Sequence, residues 1–66
     1  MKEWKFIIRI VYDDNTEFTF DVSIWGTKSG VMANLMMITR GTLNASSAEK
    51  AYCYNSDGNL EIAYRR

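Results

Sequence analysis

In Trp4-Lys5-Phe6-Ile7-Ile8-Arg9-Ile10-Val11-Tyr12 every even-numbered residue is large and apolar. Glu17-Phe18-Thr19-Phe20-Asp21-Val22-Ser23-Ile24-Trp25 repeats the pattern with Phe18, Phe20, Val22 and Ile24. A period of two sends successive side chains to opposite sides of an extended chain, so both stretches read as half-buried β-strands. The polar run Asp13-Asp14-Asn15-Thr16 between them reads as a turn, which makes the pair a hairpin. Directly opposed residues share a face, and the even-numbered apolar sets must coincide on the core side. The expected pairs are Tyr12 with Phe18, Ile10 with Phe20, Ile8 with Val22 and Phe6 with Ile24. The other face then sets Val11 by Thr19, Arg9 by Asp21, Ile7 by Ser23 and Lys5 by Trp25, with one opposite-charge pair and one cation–π contact.

After Gly26 the period changes. Val31, Leu35, Ile38 and Thr42 fall on one helical stripe, and Met32, Met36, Thr39 and Leu43 on the next, which predicts a helix from about Lys28 to Ala45 with Thr27 as N-cap. Met32 and Met36 are expected to fill gaps in the core, while Met37 points about 100° away from Met36 around the axis. Gly26 and Gly30 let the chain turn out of the sheet, and Gly41 either ends the helix early or marks a close approach to the sheet. Ser46-Ser47-Ala48-Glu49 has capping-box spacing and suits a second short helix. The favoured alternative is a second hairpin, residues 51–54 and 60–65, turning through Asp57-Gly58 as a type I′ turn. Cys53 then opposes Ile62 and Ala51 opposes Tyr64; with Leu60, Ile62 and Tyr64 facing the core, Tyr52 and Tyr54 face away. The expected fold is α+β: a single domain over residues 1–66, ordered ββαββ, with a four-stranded antiparallel sheet covered on one face by one helix.

The chain has 66 residues, eight Lys plus Arg against eight Asp plus Glu, one Cys and no His. A domain of this size buries only about 60% of its unfolded surface, so oligomerisation is a common supplement and a homodimer is expected among its partners. Without His there is no imidazole base, no Ser-His or Cys-His nucleophile pair and no His-bearing zinc site. Balanced charge argues against a surface dominated by phosphate binding. Cys53 reads as a small core residue, and one cysteine with no signal-peptide pattern and no apolar run near 20 residues predicts a soluble cytoplasmic protein away from membranes.

Several short patterns fail on inspection. Around Lys28-Ser29, Thr27 stands where the glycine before the lysine of a phosphate loop belongs, so the match fails. Asn44-Ala45-Ser46 satisfies the glycosylation pattern but lies at a helix end in a chain with no secretory route. Asp13, Asp14 and Glu17 gather carboxylates without calcium-loop spacing, so a solvated turn is expected and no metal or cofactor. No carboxylate pair is placed in a pocket by its spacing, so the chain is expected not to be an enzyme.

The informative surface is the sheet face away from the helix: Lys5, Ile7, Arg9, Val11, Trp25, Tyr52, Tyr54 and Arg65, with Ala63 among them. An antiparallel sheet facing water alternates apolar-in with polar-out, and Ile7, Val11 and Trp25 break that rule. Aromatic residues and arginine are enriched at protein interfaces. The expected function is therefore a small protein-binding domain that dimerises or occludes a partner through this face or an edge strand. In size and architecture it is similar to compact proteins of phages and other mobile elements that inhibit a host enzyme or defence complex. One alternative is single-stranded nucleic-acid binding, with Trp25, Tyr52 and Tyr54 stacking bases and Lys5, Arg9, Arg65 and Arg66 meeting phosphates. The other is a structural subunit whose outer face is buried in a larger assembly.

Overall fold

A computed structural model describes residues 2–66. The chain runs β1 (Lys2–Val11), β2 (Glu17–Gly26), α1 (Lys28–Ala45), β3 (Lys50–Asn55) and β4 (Leu60–Arg65). The strands form one antiparallel sheet in the expected ββαββ arrangement, and their order, β2-β1-β3-β4, puts β1 and β3 in the centre. No described helix is long and apolar enough to cross a membrane.

The first hairpin turns two residues away from the expected register. The Tyr12 amide donates to the Thr16 carbonyl at 2.9 Å, the Asn15 amide donates to the Tyr12 carbonyl at 3.0 Å, and Asn15 is left-handed at φ 67°. This is a type I turn on Asp13 and Asp14 closed by a left-handed residue, a conformation asparagine tolerates. The Asp14 carboxylate accepts from the Thr16 hydroxyl at 2.6 Å and its amide at 3.0 Å, which lowers the Asp14 pKa below its ordinary value. The pairs are therefore Ile10–Phe18, Ile8–Phe20, Phe6–Val22 and Trp4–Ile24 on the inner face, not Tyr12–Phe18 and its companions. On the outer face Arg9 meets Thr19, Ile7 meets Asp21 and Lys5 meets Ser23, which corrects the Arg9–Asp21 and Lys5–Trp25 pairs. A slip of two preserves parity, so every residue keeps its expected face.

The second hairpin reaches the expected Cys53–Ile62 and Ala51–Tyr64 pairs by a different route. The Gly58 amide donates to the Asn55 carbonyl at 3.0 Å, and the Asn55 amide donates to the Asn59 carbonyl at 2.9 Å. Gly58 has φ 83° while Asp57 stays at negative φ, so the turn is type I on Ser56 and Asp57 closed by Gly58, not type I′. The register shifts between Cys53 and Tyr54: Tyr54 opposes Leu60 while Cys53 opposes Ile62, leaving Glu61 as a bulge residue. Leu60, expected in the core, is in consequence 54% exposed. Ser46 does not start a second helix but ends the first. Its amide donates to the Thr42 carbonyl at 3.1 Å, its hydroxyl donates to the Leu43 carbonyl at 3.1 Å, and that hydroxyl accepts from the Ala48 amide at 3.2 Å.

The helix starts at Thr27, whose hydroxyl accepts from the Gly30 amide at 3.4 Å. It buries Val31, Leu35, Thr39 and Leu43, a seam that takes members from both expected stripes. Steps of four residues drift only about 40° per step around the axis, so all four stay over the sheet. Met32 packs partly against the core, but Met36 is 49% exposed and does not fill it. Beneath the seam lie Phe6, Ile8 and Ile10 of β1 and the small residues Ala51 and Cys53 of β3. The Arg40 guanidinium reaches 5.8 Å from the Tyr64 ring of β4. At the other edge Phe18 of β2, expected in the core, is 58% exposed, because the helix leans toward the small residues of β3. Among the described residues Thr39 is the one buried polar core residue, and its hydroxyl donates to the Leu35 carbonyl at 2.7 Å.

The carbonyls at the helix C-terminus are held by Arg66. Its guanidinium donates to the carbonyls of Ala48 at 2.7 Å, Ser46 at 2.6 Å and Leu43, and its amide donates to the Glu49 carbonyl at 2.8 Å. A cation among the last carbonyls of a helix complements its dipole. Arg66→Ala is expected to cost about 1.5–3 kcal/mol, the range for hydrogen bonds to a charged group, read as a lower urea midpoint. Gly41 neither ends the helix nor approaches the sheet, since a Cβ there meets nothing within 4 Å. Gly41→Ala is therefore expected to raise stability by about 0.5–1 kcal/mol in the same measurement.

Candidate protein-binding face

On the uncovered side, strand alternation and register set the side chains in rows. One row runs Asp21, Ile7, Tyr54 and Leu60; the next runs Thr19, Arg9, Tyr52 and Ala63; the third runs Glu17, Val11, Lys50 and Arg65. Ile7 is 43% exposed and lies beside the half-buried Tyr54, which separates it from the exposed Leu60 of β4. Lys50 and Leu60 were not anticipated here. Lys50 follows from extending the Tyr52 alternation back by two residues, whereas Leu60 reaches the face only through the bulge.

Arg9 organises the centre of the face. Its guanidinium pairs through Nε with the Glu17 carboxylate, diagonally across the β1–β2 ladder, and Nη1 donates to the Tyr54 hydroxyl at 3.0 Å. It also lies 5.3 Å from the centroid of the Tyr52 ring, and the two tyrosine rings are 6.5 Å apart and tilted. The Glu17 carboxylate, followed by the Tyr54 hydroxyl, raises the Arg9 pKa further above its ordinary value. The charge is thus balanced by a neighbour, while the hydrogen bond and the stacked ring restrain two aromatic side chains in place.

Of the expected residues, the structure gathers Ile7, Arg9, Val11, Tyr52 and Tyr54 in adjoining rows. Lys5 and Arg65 lie at opposite ends of that group. Trp25 is separate. It opposes Glu3 at the edge of the sheet, 63% exposed, and strand spacing places it roughly 15 Å from Tyr54. The cation–π contact expected between Lys5 and Trp25 forms instead at Trp4, with the Lys2 ammonium 4.3 Å from its ring, and the Trp4 indole N–H donates to the Gly26 carbonyl at 3.0 Å. Arg66 is absent from the face because it caps the helix.

Elsewhere the chemistry is sparse. An open cleft of about 390 Å³ at the helix N-terminal end is floored by Trp4, Phe6, Val31 and Met32. Among the described residues no three His, Cys, Asp or Glu side chains cluster as metal ligands. Asp13 and Glu17 lie at the turn with Asp14, whose carboxylate is engaged by Thr16 and so serves the turn.

Cys53 is fully buried, and burial pushes its thiol up to about 11 from an ordinary 9.0. A thiol kept protonated inside the fold contributes stability that is whole below pH 9 and falls as pH rises toward 11, because only the unfolded chain ionises freely in that window. Denaturation midpoints measured across that window are expected to decline, and Cys53→Ala, which removes the titrating group, to flatten that part of the profile. No family model matches the chain, and no curated protein or solved structure matches it either.

Proposed function

We propose that this chain is a small non-catalytic protein-binding domain that engages its partner through the outer sheet face. The observation that carries this reading is the restrained Arg9–Tyr52–Tyr54 group flanked by exposed Ile7 and Leu60. Tyrosine and arginine dominate binding energy at protein interfaces, and side chains already restrained lose less entropy on association. The face sets its restrained aromatics across adjoining strands, an arrangement that suits occlusion of a partner's surface. Inhibition of an enzyme or defence complex, in the manner of the compact phage and mobile-element proteins it is similar to in size and architecture, is the corresponding biological role.

The competing nucleic-acid reading loses ground at the centre of the face. Arg9 already faces Glu17, and Asp21 stands beside Ile7, so a phosphate chain crossing the tyrosines meets carboxylates as well as cations. The test compares wild type with Ile7→Glu/Tyr54→Ala, both verified as folded by circular dichroism. Immobilised wild type is expected to retain a partner from a host lysate, with the variant weakened by about 2 kcal/mol or more, roughly 30-fold. Equal retention by both proteins would overturn the assignment of this face. Salt-sensitive binding of a single-stranded oligonucleotide that the variant loses would transfer the face to nucleic acid.

A further inference from the structure

We propose that the free edge of β2 pairs with the same edge of a second copy, antiparallel about Val22, to make one continuous sheet from two chains. The inference is independent of what the outer face binds.

The two edges of the sheet differ in how they are protected. β4 has six residues and a bulge at Glu61, features that discourage further pairing. β2 has ten residues in unbroken register with β1, contains neither proline nor lysine, and carries charge only at Glu17 and Asp21. The bond from the Tyr12 amide to the Thr16 carbonyl marks a hydrogen-bonded position of the ladder. Alternation then commits the even-numbered residues of β2 to β1 and turns the backbone N–H and C=O groups of Thr19, Asp21, Ser23 and Trp25 outward. Those groups form an open template.

The side chains along that edge are also incomplete in their packing. Phe18 on the inner face and Trp25 on the outer face are the two exposed aromatics of β2, and Phe20, Val22 and Ile24 are only partly buried. Two copies of the exposed rings hold roughly 500 Å² of surface, about a third of the roughly 1,600 Å² that a standard specific interface buries, before the paired backbones are added.

A two-fold axis restricts the register. Pairing centred on Asp21 sets two carboxylates directly opposite each other, which is unfavourable. Pairing centred on Phe20 carries Trp25 past the end of the neighbouring strand. Pairing centred on Val22 keeps the apolar residues on the inner face and gives each exposed aromatic a neighbour. Trp25 lies beside the partner's Thr19, and Phe18 lies beside the partner's Gly26, an aromatic ring covering a strand glycine. Asp21 then faces the partner's Ser23. The self-match of this edge, apolar with apolar and carboxylate with hydroxyl, selects a second copy over an unrelated strand. Because Thr19 neighbours Arg9 in β1, the same register brings the partner's Trp25 into the row of Arg9 and Tyr52, about 10 Å from Arg9 across two strand spacings. Residues that a single chain separates thereby join one two-fold platform.

The test is solution mass by light scattering over about a hundredfold dilution, with Ser23→Pro as the edge variant. Ser23 directs its N–H outward, so proline removes a donor to the second copy without breaking the β1–β2 ladder. Wild type is expected at twice the chain mass, and Ser23→Pro at the single-chain mass with unchanged circular dichroism. Under mild oxidation Val22→Cys is expected to form a disulfide-linked dimer and Phe20→Cys not to, since only residue 22 meets its own copy. Should Ser23→Pro fail to fold, the two cysteine variants decide the matter alone. Wild type at single-chain mass throughout, a dimer that a folded Ser23→Pro leaves intact, or cross-linking at residue 20 in place of 22 would each overturn the proposal.

Discussion

One helix cannot cover this sheet, and most of what is distinctive about the molecule follows from where that helix sits. Four strands span roughly 15 Å between the outer two, whereas a helix with its side chains is about 10–12 Å across. The position is settled by side-chain volume. Ala51 and Cys53 make β3 shallow, and the Val31–Leu35–Thr39–Leu43 seam settles over it and over β1. β2, which carries Phe18 and Phe20 at the corresponding depth, is left half covered. The exposure of Phe18 beside a core that buries Phe6, Ile8 and Ile10 is the geometric cost of a single covering layer.

A core this small depends on its polar groups being satisfied. The Thr39 hydroxyl is buried against the helix's own backbone, the Cys53 thiol is held neutral, and no buried side-chain polar atom among the described residues lacks a partner. The helix C-terminus is closed by Ser46 and by the Arg66 guanidinium, which ties it to the residues leading into β3. Both hairpins close through a type I turn followed by one left-handed residue, Asn15 in the first and Gly58 in the second. In each, a side-chain carboxylate or amide oxygen of the loop accepts backbone amides: Asp14 takes the Thr16 amide, and Asn55 takes those of Asp57 and Asn59. These are local bonds that hold the loops without help from the core.

The outer face shows how a polar residue can order an apolar surface. Arg9 balances its charge against Glu17, bonds Tyr54 and stacks near Tyr52, so the tyrosines that strand alternation turns outward are not free rotors. Ile7 and Leu60 extend the apolar part of that surface on either side of Tyr54. A restrained surface of tyrosine, arginine and exposed aliphatic side chains departs from the polar outward positions of an ordinary solvated sheet.

The chain by itself determined the elements and, Leu60 apart, their faces. Periods of two and of 3.6 are local properties, readable in Trp4 to Tyr12, in Phe18 to Ile24 and in Val31 to Leu43, and a register slip of two residues leaves parity untouched, so Ile7, Arg9, Val11, Tyr52 and Tyr54 were legible as one outward set. Tertiary structure alone decided the strand order, the register, the buried seam of the helix and the exposure of Phe18, Met36 and Leu60. Each of those depends on groups distant in sequence or on a single dihedral: the φ of Asn15 moved one register, the bulge at Glu61 turned Leu60 outward, and the small volumes of Ala51 and Cys53 drew the helix away from β2. Trp25 reads as part of the outward set by parity, yet it lies at the far corner, because alternation specifies the side of a sheet and only strand order specifies which neighbours share it.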